Sequence, residues 1–176
     1  MEAPLNRHGF TLLELLLVIS VVGVLAAIIA TNVNRPRPDL FADSVRSAMQ
    51  QSRFEAVRRN RFVVFAWDGA SNAFVVRVKN PTSGTSTVCA SESSDTSLSS
   101  LSASSFPGLT VTTTFSAVSS LNGFVWQPSG LPVTCSTSGT STTLASGSFS
   151  MARSGTDSAA STRTVVLSRA GGVTRQ

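Results

Sequence analysis

The sequence predicts an α+β protein in which a long N-terminal helix, membrane-spanning in its first half and amphipathic in its second, packs on a mainly antiparallel β head. Three observations carry this prediction. Residues 10–30 form an almost unbroken apolar run, residues 39–59 carry apolar side chains at spacings of three and four, and after Arg61 the spacing changes to two. We therefore divide the 176 residues into a leader (1–9), an apolar helix (10–30), a proline-containing joint (31–38) and one head domain (39–176).

The apolar run is long enough to form a membrane-spanning helix. Its 21 residues extend about 32 Å as a helix, which matches the hydrocarbon core of a bilayer. A secretory signal peptide is the competing interpretation, since such signals also place an apolar segment after a basic leader, and Ala26 and Ala27 imitate a cleavage site. Signal peptides have apolar segments of roughly 7–15 residues, so the length favours an anchor that the mature chain keeps.

Glu14 is the one acidic residue in this run. A carboxylate near hydrocarbon costs about 3 kcal/mol on insertion scales and needs a partner. If the chain is cleaved after Gly9, the new amino terminus of Phe10 can neutralise the Glu14 carboxylate of a neighbouring subunit. The alternative is an interfacial glutamate whose side chain reaches the lipid headgroups.

The stretch Gly9-Phe10-Thr11-Leu12-Leu13-Glu14 resembles the class III signal of type IV pilins and type II secretion pseudopilins. In that family a prepilin peptidase cleaves after the glycine and methylates the new terminal residue. The resemblance implies processing at Gly9 and Phe10, and assembly through Phe10 and Glu14. It also implies a single-pass protein of the inner membrane with a periplasmic head, which joins a pilus or pseudopilus through an assembly platform and other minor and major pilins.

The head is predicted to begin with an amphipathic helix. Pro36 and Pro38 interrupt the first helix, and Asp39 has the character of an N-cap. The helix is expected to end near Arg59, because Arg58 and Arg59 suit the negative end of its dipole and Asn60 can take a left-handed cap. Its periodic positions are Leu40, Phe41, Val45, Ala48, Met49, Ser52, Ala56 and Val57.

Strand patterns fill the rest of the head. Residues 62–67 and 73–78 predict a hairpin, and further strands are predicted at residues 109–115, 122–127, 142–152 and 162–168, with a last hairpin that includes Val173. Trp67 and Trp126 lie in these strands and are expected to be core residues.

Residues 82–105 are predicted to form a long surface loop, because fifteen of them are serine or threonine and bury too little apolar surface. This loop is either a variable, binding or glycan-bearing surface or a solvent-facing connection pinned by Cys89. Cys89 and Cys135 are expected to form a disulfide in an exported head, which would close a loop of about 45 residues and contribute about 3–4 kcal/mol. Two free thiols are the alternative.

The head segments are similar to the GspH/FimT/FimU branch of the family. The similar segments are residues 52–61, the turn that ends at Gly130, and the stretch Val165-Val166-Leu167 followed by Gly172-Val173. Residues 82–118 match no pattern of that branch. The resemblance implies a minor pilin that primes pilus assembly or sits at or near the filament tip, or a GspH-like pseudopilin of a type II secretion system.

The sequence predicts neither an enzyme nor a cofactor or metal site. The only histidine, His8, belongs to the leader, so the mature chain has no imidazole for a triad, a general base or a metal. Hydrolase, phosphate-loop and dinucleotide-binding motifs are absent. The acidic residues Asp68, Glu92, Asp95 and Asp157 show no paired spacing and are interpreted as solvated turn residues.

A FimT-like minor pilin that binds duplex DNA for natural transformation is the other function considered. The net charge of +5 favours anionic partners only if the arginines cluster on one face. The candidates are Arg77, Lys79, Arg153, Arg163, Arg169 and Arg175. DNA-binding members of that branch carry Gly-Arg-x-Arg near the C-terminus, whereas here the stretch Gly171-Gly172-Val173-Thr174-Arg175 lacks the first arginine.

Overall fold

One helix, α1 (Leu12–Val33), precedes the head. The computed structural model describes residues 11–33, 38–80, 88–89, 95–106, 108–118, 120–136, 140–153 and 162–176, and the chain divides into two compact units, Met1–Arg35 and Pro36–Gln176. Residues 11–27 of the chain are all exposed, and apolar side chains occupy every side of α1. Within the described residues, no helix reaches the length and hydropathy that a membrane crossing requires.

The two helices are longer than the sequence predicts. The prediction gives a joint at residues 31–38, whereas α1 continues to Val33 and α2 (Pro38–Arg59) begins at Pro38. Proline fits the first turn of a helix because its missing N–H has no partner there. Asp39 therefore lies inside the first turn of α2 and is not its N-cap.

The C-terminal end of α2 is the predicted left-handed cap. Asn60 has a φ of 51°, its N–H donates to the Val57 carbonyl at 3.2 Å, and the Arg61 N–H donates to the Ala56 carbonyl at 3.1 Å. This pair of bonds is a Schellman motif, which satisfies two carbonyls at the end of the helix.

The rest of the head consists of eleven strands among the described residues, arranged in two antiparallel sheets. Their bounds are β1 (Val63–Asp68), β2 (Ala73–Val78), β3 (Thr96–Ser102), β4 (Leu109–Thr113), β5 (Ala117–Val118), β6 (Leu121–Trp126), β7 (Pro132–Cys135), β8 (Ser141–Thr143), β9 (Ser146–Arg153), β10 (Arg163–Ser168) and β11 (Val173–Arg175). The large sheet has the order β3-β2-β1-β6-β7-β8, with β5 paired to β6, and the small sheet has the order β11-β10-β9-β4.

The main core lies between α2 and the two sheets. Its centre is a set of mutually contacting rings, in which the centroids of Phe74 and Phe149 are 4.8 Å apart and those of Phe65 and Phe124 are 5.7 Å apart. Both tryptophans are buried, as predicted. Trp126 Nε1 donates to the buried Ser52 hydroxyl at 2.8 Å, which explains why a serine occupies the apolar face of α2.

A second apolar cluster covers the other face of the large sheet. Along β1, Val63 and Phe65 face the main core, and Val64 and Ala66 belong to the second cluster, as the period of two requires. Cys89, Cys135, Val118, Val125 and Val133 complete it. The large sheet is therefore buried on both faces at β1 and β6.

Several strand predictions need correction. The stretch predicted as a loop at residues 82–105 contains β3, an edge strand whose backbone pairs with β2 and whose serine-rich side chains are mostly exposed. The strand predicted at residues 142–152 is divided into β8 and β9, which belong to different sheets. β5 and β7 were not predicted, since each is too short to show a period.

Candidate assembly site

The first turn of α1 places Thr11 and Glu14 three residues apart. The Glu14 N–H donates to the Thr11 side-chain oxygen at 3.3 Å and to the Thr11 carbonyl at 3.1 Å, so Thr11 acts as the N-cap of this helix. The pair fits the first half of the capping-box pattern Thr-x-x-Glu. This role of Thr11 was missed in the sequence, although the spacing to Glu14 is the signal that reveals it.

The Glu14 side chain is exposed at the start of an apolar helix. A carboxylate in the first turn is favoured by the positive end of the helix dipole. The described residues give Glu14 no ion-pair partner. The processing residues Gly9 and Phe10 lie outside the described residues.

The predicted disulfide between Cys89 and Cys135 is present in the head. It joins residues 46 apart in the chain, with a Cα–Cα distance of 5.6 Å. Cys135 lies on β7, and Cys89 lies beside Val88 in the second apolar cluster. The disulfide therefore fastens a piece of the β2–β3 connection onto the outer face of the large sheet.

Lys79 is not a candidate for DNA contact, because the structure buries it. Its side chain is 5% exposed, and its Nζ donates to the Asp95 carboxylate at 2.8 Å. The prediction that Asp95 is a solvated turn residue is equally wrong, since Asp95 is 5% exposed in this ion pair. A buried lysine requires such a partner, but nothing in the sequence spacing of these residues identifies the pair.

Arg163 and Arg175 each form an ion pair with an acidic residue of α2. Arg163 donates to Asp39 at 2.5 Å, and Arg175 donates to Asp43 at 2.8 Å. These two arginines attach the first turns of α2 to the small sheet. Their positive charge is largely compensated, which weakens the case for a phosphate-binding face here.

The remaining candidates do not gather at one place. Arg169 follows β10 and Arg163 begins it, so the two are separated by about 20 Å of extended chain. Arg153 ends β9 in the small sheet, whereas Arg77 lies on β2 of the large sheet. The six predicted cations are thus distributed over both sheets, and one of them is buried.

Asp68 was predicted to be an acidic turn residue, and the structure places it at the turn between β1 and β2. Its carboxylate accepts a hydrogen bond from the Ser71 hydroxyl at 2.7 Å and one from the Ala70 N–H at 3.0 Å. These bonds, the Ser71 bond foremost, lower the pKa of Asp68. Glu92 and Asp157 lie outside the described residues, and the described residues contain no group of three potential metal ligands.

Arg53 forms a junction that the sequence did not reveal. Its guanidinium donates to the Gly171 carbonyl at 3.0 Å and lies 5.8 Å from the centre of the Trp126 ring. Gly171 and Gly130 both have left-handed φ values, 78° and 76°, and a Cβ on Gly171 would lie 2.9 Å from the Gly130 carbonyl oxygen. Two turns, β6–β7 and β10–β11, therefore meet against α2 at Arg53.

Comparisons with known proteins agree with this architecture. Residues 4–30 match the family described as the prokaryotic N-terminal methylation motif, and residues 42–171 match the family described as type II transport protein GspH. The pilin-like protein PilA1 of Thermus thermophilus is 44% identical over 61 residues, which cover 34% of this chain and 39% of that protein. The chain thus matches about two fifths of the length of this curated relative.

A solved structure is similar over most of the chain. The crystal structure of the type IV minor pilin FimU from Pseudomonas aeruginosa PAO1 has a TM-score of 0.53 and 13% sequence identity, and the match covers 79% of this chain and 87% of that one. At this identity the likeness shows the fold alone. It corresponds to the α+β architecture of α2 on antiparallel sheets.

Proposed function

The chain belongs to the GspH family of type II transport proteins, and from that premise we propose that it primes the assembly of a type IV pilus or sits at or near its tip. It is a minor pilin or pseudopilin, and its relatives are structural pilins and not enzymes. The family implies processing by a prepilin peptidase and interaction with other pilins.

The proposal rests on the exposure of the apolar side chains of α1. Leu12 and Leu13 are 80% and 75% exposed, and every large apolar residue of α1 up to Leu25 is likewise mostly exposed. Removing one leucine from water contributes about 2 kcal/mol, so this helix strongly favours an apolar environment. In the proposal, the inner membrane provides that environment for a single-pass precursor with a periplasmic head, and neighbouring pilin helices provide it after assembly.

Glu14 gives the assembled helices their register. Since Glu14 is the only acid in the described part of α1, burial of the helix leaves its carboxylate in a medium where an unpaired charge is costly. The processed amino terminus of Phe10 on a neighbouring subunit is the cation that we assign to it. A subunit shifted along the filament would lose this pair.

The experiment is to replace Glu14 by glutamine in the full chain and measure incorporation into sheared filaments of a host that lacks the native gene. We expect normal processing, and incorporation reduced at least tenfold, because glutamine keeps the shape and removes the charge. Ser20→Ala is the matched control, since Ser20 is also a polar residue of α1 and bonds only its own helix, at Leu16. Normal incorporation of the Glu14→Gln protein would reject the assigned pair.

A pseudopilin of a type II secretion system is the second candidate, and the family match to GspH is the observation that favours it. Its helix and Glu14 would act in the same way. Deleting the gene distinguishes the two candidates: loss of surface pili with normal protein secretion supports the first, and loss of secretion with normal pili supports the second.

A further inference from the structure

A buried ion pair in the head joins two strands that are held with unequal strength. Lys79 follows β2 and Asp95 precedes β3, and each of the two side chains is only 5% exposed. Lys79 Nζ donates to the Asp95 carboxylate at 2.8 Å. Because charges removed from water are costly without a partner, loss of either residue leaves the other as an unpaired buried charge.

Lys79 belongs to the firmly held side of this pair. β2 pairs with β1 over its whole length, and the Lys79 N–H donates to the Phe62 carbonyl, next to the start of β1, at 2.9 Å. Phe74 and Val76 of β2 are buried in the main core. The backbone of Lys79 therefore stays in the sheet whether or not β3 is in place.

Asp95 belongs to the weakly held side. Within the described part of the head, β3 is a terminal strand of the large sheet, and its register with β2 shifts between Val76 and Arg77. Most of its side chains are exposed, and only Leu98 and Leu101 pack against the main core, both partly buried. An edge strand with so little buried apolar surface is among the first elements of a fold to open.

The other side-chain and end contacts of β3 are neutral. The Asn80 amide donates to the Thr96 hydroxyl oxygen at 2.8 Å, and the Ala103 N–H donates to the Asn72 carbonyl at 2.9 Å. Water replaces bonds of this kind at a small net cost. Of these contacts, the ion pair between Lys79 and Asp95 is therefore the one whose disruption should affect β3 most.

We infer that residues 95–102 form a strap that opens from β2 as one unit, and that the pair of Lys79 and Asp95 is its latch. In the closed strap each charge satisfies the other, and in the open strap both regain water. A single unpaired charge is penalised only in the closed state, so removing one partner shifts the equilibrium toward opening. The latch involves neither α1 nor Glu14 and acts separately from the proposed assembly function.

Opening of the strap uncovers an apolar edge. Leu101 pairs with Phe74 and Ser99 with Val76, and the strap also walls a cavity of about 150 Å³ whose other side is α2, at Ser52. An unpaired strand edge accepts strands of other chains. The latch therefore protects the head against strand addition at β2.

The test is native-state hydrogen exchange on the full chain in detergent. In Lys79→Met and in Asp95→Val, we expect the hydrogen-bonded amides of β3 to exchange about a hundredfold faster than in the wild type. Amides in the centres of β9 and β10 should keep their wild-type rates. In the double variant Lys79→Met/Asp95→Val no charge is left unpaired, so the β3 rates should return to within about fivefold of the wild type.

Arg163→Met is the matched control. It removes the cation of another ion pair of the head, whose side chains are 34% and 49% exposed, so the remaining Asp39 carboxylate stays hydrated. The β3 rates of this variant should equal those of the wild type.

The latch is rejected if the single variants leave the β3 rates unchanged, if Arg163→Met raises them as much as Lys79→Met does, or if the double variant exchanges as fast as the single ones. Equal acceleration of β3, β9 and β10 would make the pair a contributor to global stability and reject the strap.

A measurement on the wild type decides the case in which a single variant does not fold. Exchange of the β3 amides should depend less on denaturant concentration than exchange of the β1 amides, because opening of the strap exposes less surface than global unfolding. The same dependence for both strands would show that β3 does not open by itself.

Discussion

Single residues set how closely the strands of the head approach one another. Gly123 on β6 pairs with Ala66 on β1, and a Cβ at position 123 would lie 2.2 Å from the Phe65 carbonyl oxygen and 2.5 Å from the Ala66 Cα. Both atoms belong to the backbone and cannot rotate away. Glycine is therefore required here by space, although its backbone angles are ordinary.

Gly123→Ala should accordingly destabilise the head by about 3 kcal/mol, the upper range for overpacking a close-packed site. Chemical denaturation of the purified chain measures the change. Gly69→Ala is the control, because a Cβ on Gly69 meets nothing closer than 3.9 Å. Equal midpoints for the two variants would show that β1 and β6 can separate without cost.

The arginines that end α2 act on Glu55. Hydrogen bonds from Arg58 first, and then from Arg59, lower the pKa of the Glu55 carboxyl. Because the folded-state pKa is lowered, this stabilisation is present above the ordinary pKa of a glutamate and is lost as the pH falls through the folded-state pKa.

Arg58→Gln should raise the pKa of Glu55 toward its ordinary value, as followed by NMR titration of the carboxyl carbon. The stability difference between wild type and Glu55→Gln should also shrink as the pH falls. Arg61→Gln serves as the control, because Arg61 bonds Asn80 and not Glu55. An unchanged Glu55 pKa in Arg58→Gln would contradict the assignment of Arg58 as its main partner.

At the scale of elements, the apolar pattern predicted the elements that are buried and failed for an exposed edge strand. α2 and the β1–β2 hairpin show periods of 3.6 and two, and both were predicted within two residues of their ends. β3 has no apolar alternation, because it is an edge strand held by its backbone bonds to β2. Composition alone therefore assigned it to a loop.

The candidate site was predictable to a similar extent. Cys89 and Cys135 were predicted to pair because they are the only cysteines, and the disulfide is present. Glu14 was selected because an acid in an apolar run is rare, and its role in assembly stays a prediction. The pairs Lys79–Asp95 and Arg163–Asp39 depend on the folded arrangement of distant segments, so no local pattern predicts them.

The disulfide between Cys89 and Cys135 is expected to make a large contribution to the stability of the head. Joining residues 46 apart restricts the unfolded chain and contributes about 4 kcal/mol. The double variant Cys89→Ala/Cys135→Ala should therefore melt well below the wild type, and reduction of the wild type should lower its melting temperature toward that of the variant. If a reductant leaves the wild-type melt unchanged, the bridge is not contributing to stability.

At the scale of the whole molecule, the chain consists of an apolar helix and a head with its own two clusters. Each unit has its own requirement: α1 needs an apolar environment supplied from outside, and the head needs the contacts within residues 36–176. Changes in processing and changes in head stability should therefore be separable by mutation.

Gly9→Ala should block maturation, since the resemblance places the peptidase cleavage after Gly9, and the mass of the chain isolated from the host should then include the leader. Gly23→Ala is the control, because a Cβ on Gly23 meets no atom within 4 Å and the residue lies far from the cleavage site. A mature mass for the Gly9→Ala protein would place the cleavage elsewhere.

The second apolar cluster depends on the disulfide for part of its cover. Val64, Ala66, Val125 and Val133 are shielded in part by Val88 and Cys89, which are tethered to β7 by the disulfide. Without the disulfide these four apolar side chains are less well protected, and incompletely folded copies at high concentration can aggregate through them. We therefore expect the reduced chain to aggregate more readily than the oxidised chain when both are concentrated to the same extent.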